Sequence, residues 1–389
     1  MRKAVIRGTG MTKFGRHLNR TMKDLGREAI TSALGDAGCT VDEIEAVYFS
    51  NSLAGLITGQ EAIRGQTVLH DMGIGTIPII NVENACASAG TALHMAWLSV
   101  ASGLHETVLA VGVEKLLLED KSKTFAAYRA GYDLDTLPDF GDGAGESRSP
   151  LVDRHAVIAR QLMTERGVTR ESLAVLAASA LANGALNPLA HRRAGATVES
   201  ILNARLVVDP LTVPMISPIS DGAAAAVVCA ANWQRKDRDI RILASTLRSL
   251  PGSGAGPVSH SAAADAAYEM AALGPDDIDV AEVHDASSPL LMTVWCHLGL
   301  CPPGEEEQWA QTGRTALDGP LPINPSGGMI ARGHPIGSTG LAQVHELAMQ
   351  LRGEAGARQV EHARIAMAHV GGGVIGTMTA ASAVHLLSV

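Results

Sequence analysis

Apolar residues along the chain follow two alternating spacings, one typical of buried strands and the other typical of helices. The strands predicted in the first third of the chain cover residues 3–8, 46–49, 77–82 and 107–113. The helices predicted between them cover residues 21–37, 60–71 and 87–101. This alternation of strand and helix predicts an α/β architecture.

The second half of the chain repeats the pattern of the first. An acidic segment precedes a short apolar strand at residues 46–49 and again at residues 280–283. In each half an apolar-Pro-Ile segment then leads into a glycine-bearing loop and an apolar helix, which ends at Gly103 or at Gly353. A further strand follows each helix. Such self-similarity predicts a duplicated α/β unit with a site between the two halves.

A more polar stretch interrupts the first half from about residue 116 to residue 208. It contains predicted helices at residues 153–165 and 170–183, and a strand at residues 221–230 then resumes the apolar pattern. We interpret the stretch as an insertion that covers one face. The predicted division is a first half at residues 1–115 and 209–235, an inserted loop domain at residues 116–208, and a second half at residues 236–389.

Composition narrows the class of protein. Of the 389 residues, 46% are hydrophobic and only 3% are aromatic, so the core must consist of small aliphatic side chains in closely packed elements. The net charge of −9 argues against a nucleic-acid-binding protein, which relies on clustered Lys and Arg. No segment reaches the roughly 18 apolar residues of a membrane span and no signal peptide is recognisable, so we expect a cytoplasmic location.

The cysteines and histidines show no metal-binding pattern. The five cysteines are odd in number and scattered, and the 14 histidines show neither HExxH nor a related spacing. No phosphate-binding loop or serine-hydrolase elbow occurs, and the segment GGGVIG at residues 371–376 lacks the following helix and acidic residue of a dinucleotide site. We therefore predict no metal and no cofactor.

Cys86 is the candidate nucleophile. It lies in the segment NACASAG at residues 84–90, after a predicted strand and at the start of a predicted helix. Backbone N–H groups at a helix N-terminus lower the pKa of a thiol and stabilise an oxyanion. We therefore expect iodoacetamide to alkylate Cys86 faster than an ordinary thiol at neutral pH. The alternative interpretation is a buried structural cysteine.

Three histidines are candidates for the same site. His334 lies in the segment NPSGGMIARGHPIGSTGLAQVHE at residues 324–346, whose glycines and prolines hold an imidazole at a defined place, as an acid–base group requires. His284 ends the strand at residues 280–283, and His369 precedes the glycine run that starts at residue 371. For His284 a strand-end hydrogen bond is an equal alternative.

With these segments in order, the chain resembles the thiolase superfamily over essentially its whole length, and most closely its sterol carrier protein and lipid-transfer type. The resemblance rests on the segments NACASAG at residues 84–90, SDGAAAA at 220–226, EVHD at 282–285 and the long block at 324–343. It implies a duplicated five-layered α/β/α/β/α fold with an inserted loop domain. It also implies an acyl-CoA substrate without a cofactor, and a homodimer or a dimer of dimers.

The same resemblance implies roles for individual residues. Cys86 is the acylated nucleophile and His334 activates it. His284 contributes to an oxyanion site for the thioester oxygen. The backbone N–H groups of Cys86 and Gly371 form a second oxyanion hole.

Further substrate contacts are open. Ser287 and Asn324 stand beside these motifs and are candidate substrate-binding residues. Four arginines of the predicted insertion are either contacts for the CoA phosphates or surface charge, namely Arg148, Arg154, Arg192 and Arg193.

The chain departs from the thiolase pattern at the second catalytic cysteine, which moves the α-proton of the second acyl-CoA. Thiolases carry this cysteine in a Cys-x-Gly motif, where this chain has His369-Val370-Gly371, or in a His-Asp-Cys-Phe motif, where it has HDAS at residues 284–287. The candidate substitutes are His369, His284 and the hydroxyl of Ser287.

Three functions are consistent with the resemblance. The first is a thiolase-type acyl-CoA C-acyltransferase, of the acetyl-CoA acetyltransferase or 3-ketoacyl-CoA thiolase kind, with an acyl-Cys86 intermediate. The second is a retro-aldol lyase that cleaves a β-hydroxyacyl-CoA together with a small partner protein. The third is a non-catalytic acyl-CoA or lipid-binding homologue. Cys86 favours the first, because retro-aldol cleavage needs no covalent thioester.

Overall fold

The computed structural model describes residues 2–231, 238–252 and 258–389 of the chain. Its strands are β1 (Ala4–Met11), β2 (Ala46–Ser50), β3 (Ile79–Val82), β4 (Thr107–Glu114), β5 (Leu206–Val208), β6 (Leu211–Thr212), β7 (Gly222–Ala230), β8 (Ile240–Ser249), β9 (Val280–Glu282), β10 (Ile365–Ile375) and β11 (Met378–Ser388).

The helices alternate with these strands along the chain. They are α1 (Met22–Ala37), α2 (Ala54–Thr58), α3 (Arg64–Leu69), α4 (Ser88–Ala101), α5 (Lys121–Tyr128), α6 (Pro150–Arg166), α7 (Arg170–Leu186), α8 (Val198–Leu202), α9 (Ser259–Ala271), α10 (Ser288–His297), α11 (Glu306–Gln311), α12 (Gly328–Arg332) and α13 (Thr339–Leu351).

In the described part of the chain, nine strands form one mixed sheet in the order β3-β2-β4-β7-β1-β8-β11-β10-β9. The order β2-β4-β7-β1 in the first half corresponds to β9-β10-β11-β8 in the second, with one parallel and two antiparallel pairings in each. The two half-sheets meet at β1 and β8 through two residue pairs, Val5 with Arg241 and Ile6 with Ile240. The predicted duplication is therefore visible in the strand order.

Helices lie on both sides of each half-sheet. α1 packs on β1 and β7 outside the first half-sheet, and α9 packs on β8 and β11 outside the second. α4 and α13 pack against each other and against strands of both halves, so they form the layer between the half-sheets. The layer order is α/β/α/β/α, and the predicted α/β fold is confirmed.

The central helices approach each other closely because glycines face each other where they cross. A Cβ atom built on Gly340 of α13 would lie 2.7 Å from the backbone nitrogen of Gly90 in α4, well inside normal contact. A Cβ atom on Gly90 would lie 2.8 Å from side-chain atoms of Ala383 and Val370. The low aromatic content of the sequence follows from this geometry, because large side chains do not fit between the layers.

Helices α5 to α8 and strand β5 lie within the stretch at residues 116–208 that we interpreted as an insertion, and strand β6 follows just beyond its predicted end. α6 packs on α10, and α7 packs on α12, so these elements cover the second half near its glycine-rich loop. The predicted boundary at residue 235 lies outside the described residues. None of the described helices is both long and apolar enough to cross a membrane.

Some predicted boundaries differ from the structure. The strand predicted after the second apolar helix is β10, and it continues through the glycine run to Ile375, because Gly371, Gly372 and Val374 pair with β11. The helix predicted from residue 87 begins at Ser88, after a short 3₁₀ turn at Ala85–Ala87. Several elements lie outside those that the hydrophobic pattern predicted, among them β8, α9, α10 and β11.

We predict that Gly340→Ala lowers the free energy of unfolding by about 1–3 kcal/mol, because the added methyl group overpacks the crossing of α4 and α13. The measurement is urea denaturation. Gly35→Ala in α1 is the matched control, since a Cβ atom there has no neighbour within 4 Å. That exchange should be neutral or stabilise the protein by up to about 1 kcal/mol. Equal effects of the two substitutions would contradict the prediction.

Candidate active site

The main cavity of the described chain has a volume of about 280 Å³ and lies where the two halves and the inserted elements meet. Cys86 comes from the first half, whereas His284, His334 and Gly371 come from the second. The inserted stretch contributes further lining residues, among them Arg148, Arg154, His155 and Arg192. The predicted site between the halves is thus a real cavity that is lined by groups able to do chemistry.

Cys86 lies in the 3₁₀ turn that precedes α4. The turn starts at Ala85, which adopts a left-handed conformation with φ of 47°. The glycine run of β10 packs directly on this turn, and a Cβ atom on Gly372 would lie 2.1 Å from the carbonyl oxygen of Asn84. Glycine at position 372 is therefore what allows the nucleophile turn to sit against the second half.

His334 contacts Cys86 directly. Its Nε2 lies 3.3 Å from Cys86 Sγ, and its Nδ1 lies 2.7 Å from Thr339 Oγ1. The Thr339 hydroxyl also lies 3.0 Å from the carbonyl oxygen of Pro335, to which it donates its proton. Thr339 must then accept from Nδ1–H, which leaves Nε2 as a free base that faces the thiol. The Cys86–His334 pair predicted from sequence is present.

The resting pair is electrically neutral. Burial, and then the nearby carboxylate of Glu114, raises the pKa of Cys86 to about 12. Burial, and then Arg332, lowers the pKa of His334 to about 3. The prediction of a lowered thiol pKa is wrong, because desolvation and the nearby acidic side chains outweigh the backbone N–H groups. The proton therefore moves to His334 as Cys86 attacks and not before.

Glu114 joins the loop that carries His334 to the loop that follows β2. One carboxylate oxygen of Glu114 accepts from the backbone N–H of Gly337, at 2.7 Å, in the loop that carries His334. The other accepts from the N–H groups of Leu53 and Ala54, at 3.2 and 2.7 Å, beside the end of β2. Burial raises the pKa of this carboxyl group to about 7. The sequence pattern gave no sign of this residue's role.

His284 faces the same space. The backbone N–H of Gly371 donates to His284 Nδ1 at 3.2 Å, so the ring proton resides on Nε2 and is available as a donor. The rings of His284 and His334 lie 5.5 Å apart, in an edge-to-face arrangement. Because Gly371 N–H is engaged with His284, it is not a free oxyanion donor as predicted; it orients His284 instead.

Cys86, His284 and His334 are also spaced as metal ligands. A ligand atom of each lies within 4.8 Å of the others. The expectation of no metal site came from sequence spacing, which could not detect a group whose members are 198 and 50 residues apart (86 to 284, and 284 to 334). Among the described residues this is the one group that meets the spacing criterion, and it coincides with the candidate catalytic groups.

Three predicted site residues do not line the cavity. His369 is fully buried, its Nδ1 accepts from the backbone N–H of His284 at 3.4 Å, and its Nε2 lies 2.9 Å from Nδ1 of His260. Ser287 caps α10 by accepting from Leu290 N–H. Asn324 bonds both backbone groups of Val283. All three are supporting residues, because strand and helix ends are where such side chains satisfy backbone groups.

Of the four candidate arginines, three line the cavity and one does not. Arg192 lines the cavity, but its guanidinium donates to the carbonyl groups of Ile216, Ile330 and Val213. Arg148 and Arg154 also line it, whereas Arg193 does not. Two further cavity residues, His155 and His260, were missed, because each lies in an ordinary helical pattern with no motif around it.

Comparison with known proteins agrees with this arrangement. The model of the thiolase N-terminal domain matches residues 4–194, and that of the thiolase C-terminal domain-like family matches residues 256–387. An acetyl-CoA acetyltransferase from Methanothermobacter thermautotrophicus is 38% identical over 399 aligned positions that cover all of both chains. This chain belongs to the thiolase family. The predictions of the superfamily and of a thiolase-type acyltransferase are confirmed.

The chain is also similar to a thiolase subunit, to a sterol carrier protein and, in fold, to an aldolase. Benzoylsuccinyl-CoA thiolase subunit BbsB of Thauera aromatica is 35% identical and covers 96% of this thiolase and 95% of that protein. Human sterol carrier protein 2 is 33% identical over 97% of this chain and 72% of its own length. Among solved structures, an Ltp2–ChsH2(DUF35) aldolase superposes with a TM-score of 0.81 at 22% identity, covering 99% of this chain and 97% of that one, which shows the shared fold alone.

We predict that iodoacetamide alkylates Cys86 of this thiolase more slowly than a free thiol of pKa about 8.5 at pH 7. The raised pKa leaves little thiolate at that pH, so the rate should increase continuously from pH 7 to pH 10. The measurement is mass spectrometry of the Cys86 peptide over time. A rapid rate that is independent of pH below pH 8 would show a stabilised thiolate.

Thr339→Val should slow acylation of Cys86 by about tenfold to a hundredfold, because His334 loses the hydrogen bond that keeps Nε2 unprotonated. Thr339→Ser keeps the hydroxyl group and serves as the matched control. The measurement is the single-turnover rate of acylation. If the valine and serine variants react equally fast, Thr339 does not determine the tautomer.

Proposed function

We propose that this thiolase transfers an acyl group from an acyl-CoA donor through a thioester on Cys86. The observation that carries the proposal is the 3.3 Å contact between Cys86 Sγ and His334 Nε2 inside a cavity between the halves. The 38% identical acetyl-CoA acetyltransferase supports acetyl-CoA, or another short acyl-CoA, as the donor.

The first half-reaction uses the Cys86–His334 pair. As Sγ attacks the thioester carbonyl, His334 Nε2 accepts the thiol proton, so the two charges form together and stabilise each other. The backbone N–H of Cys86 and the Nε2–H of His284 are the proposed donors to the developing oxyanion. When the tetrahedral intermediate collapses, the CoA sulfur leaves and takes the proton from His334.

The second half-reaction regenerates the thiol. Either CoA or the α-carbon of a second acyl-CoA attacks the acyl group on Cys86. The nucleophile gives up one proton, from the CoA thiol or from the α-carbon, and one proton restores the thiol of Cys86 as its sulfur leaves. When CoA is the nucleophile, His334 passes this proton from one sulfur to the other. A neutral Cys86–His334 pair suits both synthesis and thiolysis, because neither half-reaction then begins from a buried isolated charge.

Several features stay proposals for this chain. The substrate is a CoA thioester, with no cofactor and no metal. The protein is cytoplasmic and a homodimer or a dimer of dimers, and it divides into two thiolase halves with an inserted loop domain at residues 116–208. A small partner protein is supported by one relative, because BbsB is named as a subunit.

The test is intact-protein and peptide mass spectrometry after incubation with acetyl-CoA or a 3-ketoacyl-CoA. We expect an acyl mass on Cys86, none in Cys86→Ala, and a rate that falls by about 10²–10⁴ in His334→Ala. If no acyl donor labels Cys86, the proposal fails. If Cys86→Ala still cleaves a β-hydroxyacyl-CoA at full rate, the protein is instead a retro-aldol lyase. Binding of acyl-CoA without acylation or turnover would indicate a non-catalytic homologue.

A further inference from the structure

The cavity lacks the thiol that the second half-reaction of a thiolase requires. At the position of the cysteine in the His-Asp-Cys-Phe motif the chain has Ala286, whose side chain lines the cavity. Cys86 is the one cysteine among the described lining residues. Carbon–carbon bond formation therefore needs another group to carry the α-proton of the second acyl-CoA.

The substitutes suggested by sequence are poorly placed. His369 and Ser287 do not line the cavity, and both are engaged in hydrogen bonds elsewhere. His284 presents its Nε2–H as a donor, because Nδ1 is occupied by Gly371 N–H. A donor of this kind stabilises an enolate oxygen but does not accept a proton from carbon.

The remaining imidazoles of the cavity differ in their hydrogen bonding. His334 is engaged at both ring nitrogens in the resting site, by Thr339 and Cys86, and in the proposed reaction it serves the sulfur of Cys86. His260 is engaged at both as well, because Nδ1 lies 2.9 Å from His369 Nε2 and Nε2 lies 3.2 Å from Thr379 Oγ1. His155 makes no hydrogen bond to any described residue, and its Nδ1 is buried without a partner.

His155 is also held in place. It belongs to α6, a helix of 17 residues that packs on α10, and its side chain is 5% exposed. Burial, and then the charge of Arg154, lowers its pKa well below the usual range, so the ring is neutral and can accept a proton at pH 7. His155, His284 and His334 all line the same cavity.

We propose that His155 carries the α-proton of the second acyl-CoA, in place of the cysteine that thiolases use. The inference rests on the proposed function, because it concerns the second half of the same reaction. In the synthetic direction a ring nitrogen of His155 takes the proton from the α-carbon. The C–H electron pair becomes the enolate, whose oxygen is held by His284 Nε2–H.

The enolate carbon then attacks the acyl carbonyl on Cys86. The new carbon–carbon bond forms as the C–S bond breaks, and Cys86 leaves as a thiolate. His155 releases the α-proton to solvent, and the thiolate takes up one proton from solvent through His334, so the number of protons balances. In the thiolysis direction His334 passes the thiol proton of Cys86 to solvent, and His155 takes a proton from solvent and gives it to the α-carbon. No oxidant, reductant or further reactant is needed.

The test separates the two half-reactions in the full-length protein. Acetyl-CoA is incubated in D₂O, and mass spectrometry follows both deuterium uptake at the α-carbon and acylation of Cys86. We expect His155→Phe, which preserves a planar ring, to lose α-deuterium uptake by about 10²–10⁴ while Cys86 still acquires the acyl group. His94→Phe, on a helical imidazole that does not line the cavity, is the matched control and should change neither rate.

His155→Gln provides a second variant in case the phenylalanine ring disturbs folding, and it should show the same loss. Adding Ala286→Cys to His155→Phe should restore at least a tenth of the uptake, because it supplies a thiol at the position used by relatives of the sterol carrier type. The inference is overturned if either His155 variant still acquires the acyl group on Cys86 and takes up deuterium within threefold of the wild-type rate. It is also overturned if the wild-type protein acylates Cys86 but takes up no deuterium. Absence of acylation in the wild type would instead refute the proposed function.

Discussion

The close crossing of α4 and α13 is the constraint on which the site depends. Cys86 lies in the turn that leads into α4, and His334 lies in the loop that leads into α13, so the separation of the two helices affects the distance between thiol and imidazole. Gly90 and Gly340 allow the helices to touch at backbone level. A larger residue at either position would move the two halves of the site apart, although neither glycine contacts substrate.

Burial explains why the catalytic groups rest in neutral form. The small side chains that allow the layers to pack also exclude water, and an isolated thiolate or imidazolium there has no solvation. Proton transfer between Cys86 and His334 avoids that cost, because both charges appear together. Glu114 adds a negative field that opposes the thiolate, yet its carboxylate holds the backbone of the loop that carries His334 and of the loop that follows β2. Its positioning role therefore comes with an electrostatic cost.

Sequence reasoning identified Cys86, His334 and His284, and the structure brings these three together. Each of these residues lies at the end of a strand or helix, beside glycine, proline or a polar residue, and such a context can be recognised in the sequence. It misjudged the pKa of Cys86, because desolvation depends on packing that no local segment reveals. It also placed His369 in the site, since a residue next to a glycine run looks exposed until the β10–β11 pairing shows that the side chain is fully buried.

Local patterns alone were enough to establish the duplicated α/β unit, the loop that carries His334 and the absence of a second cysteine in the expected motifs. Periodicity and turn chemistry act over a few residues, so they can be read without coordinates. The tertiary structure decided which imidazoles share the cavity and which nitrogens remain free. Only the tertiary structure could single out His155. The neighbouring imidazoles of His334 and His260 form hydrogen bonds, whereas Nδ1 of His155 is buried without a partner.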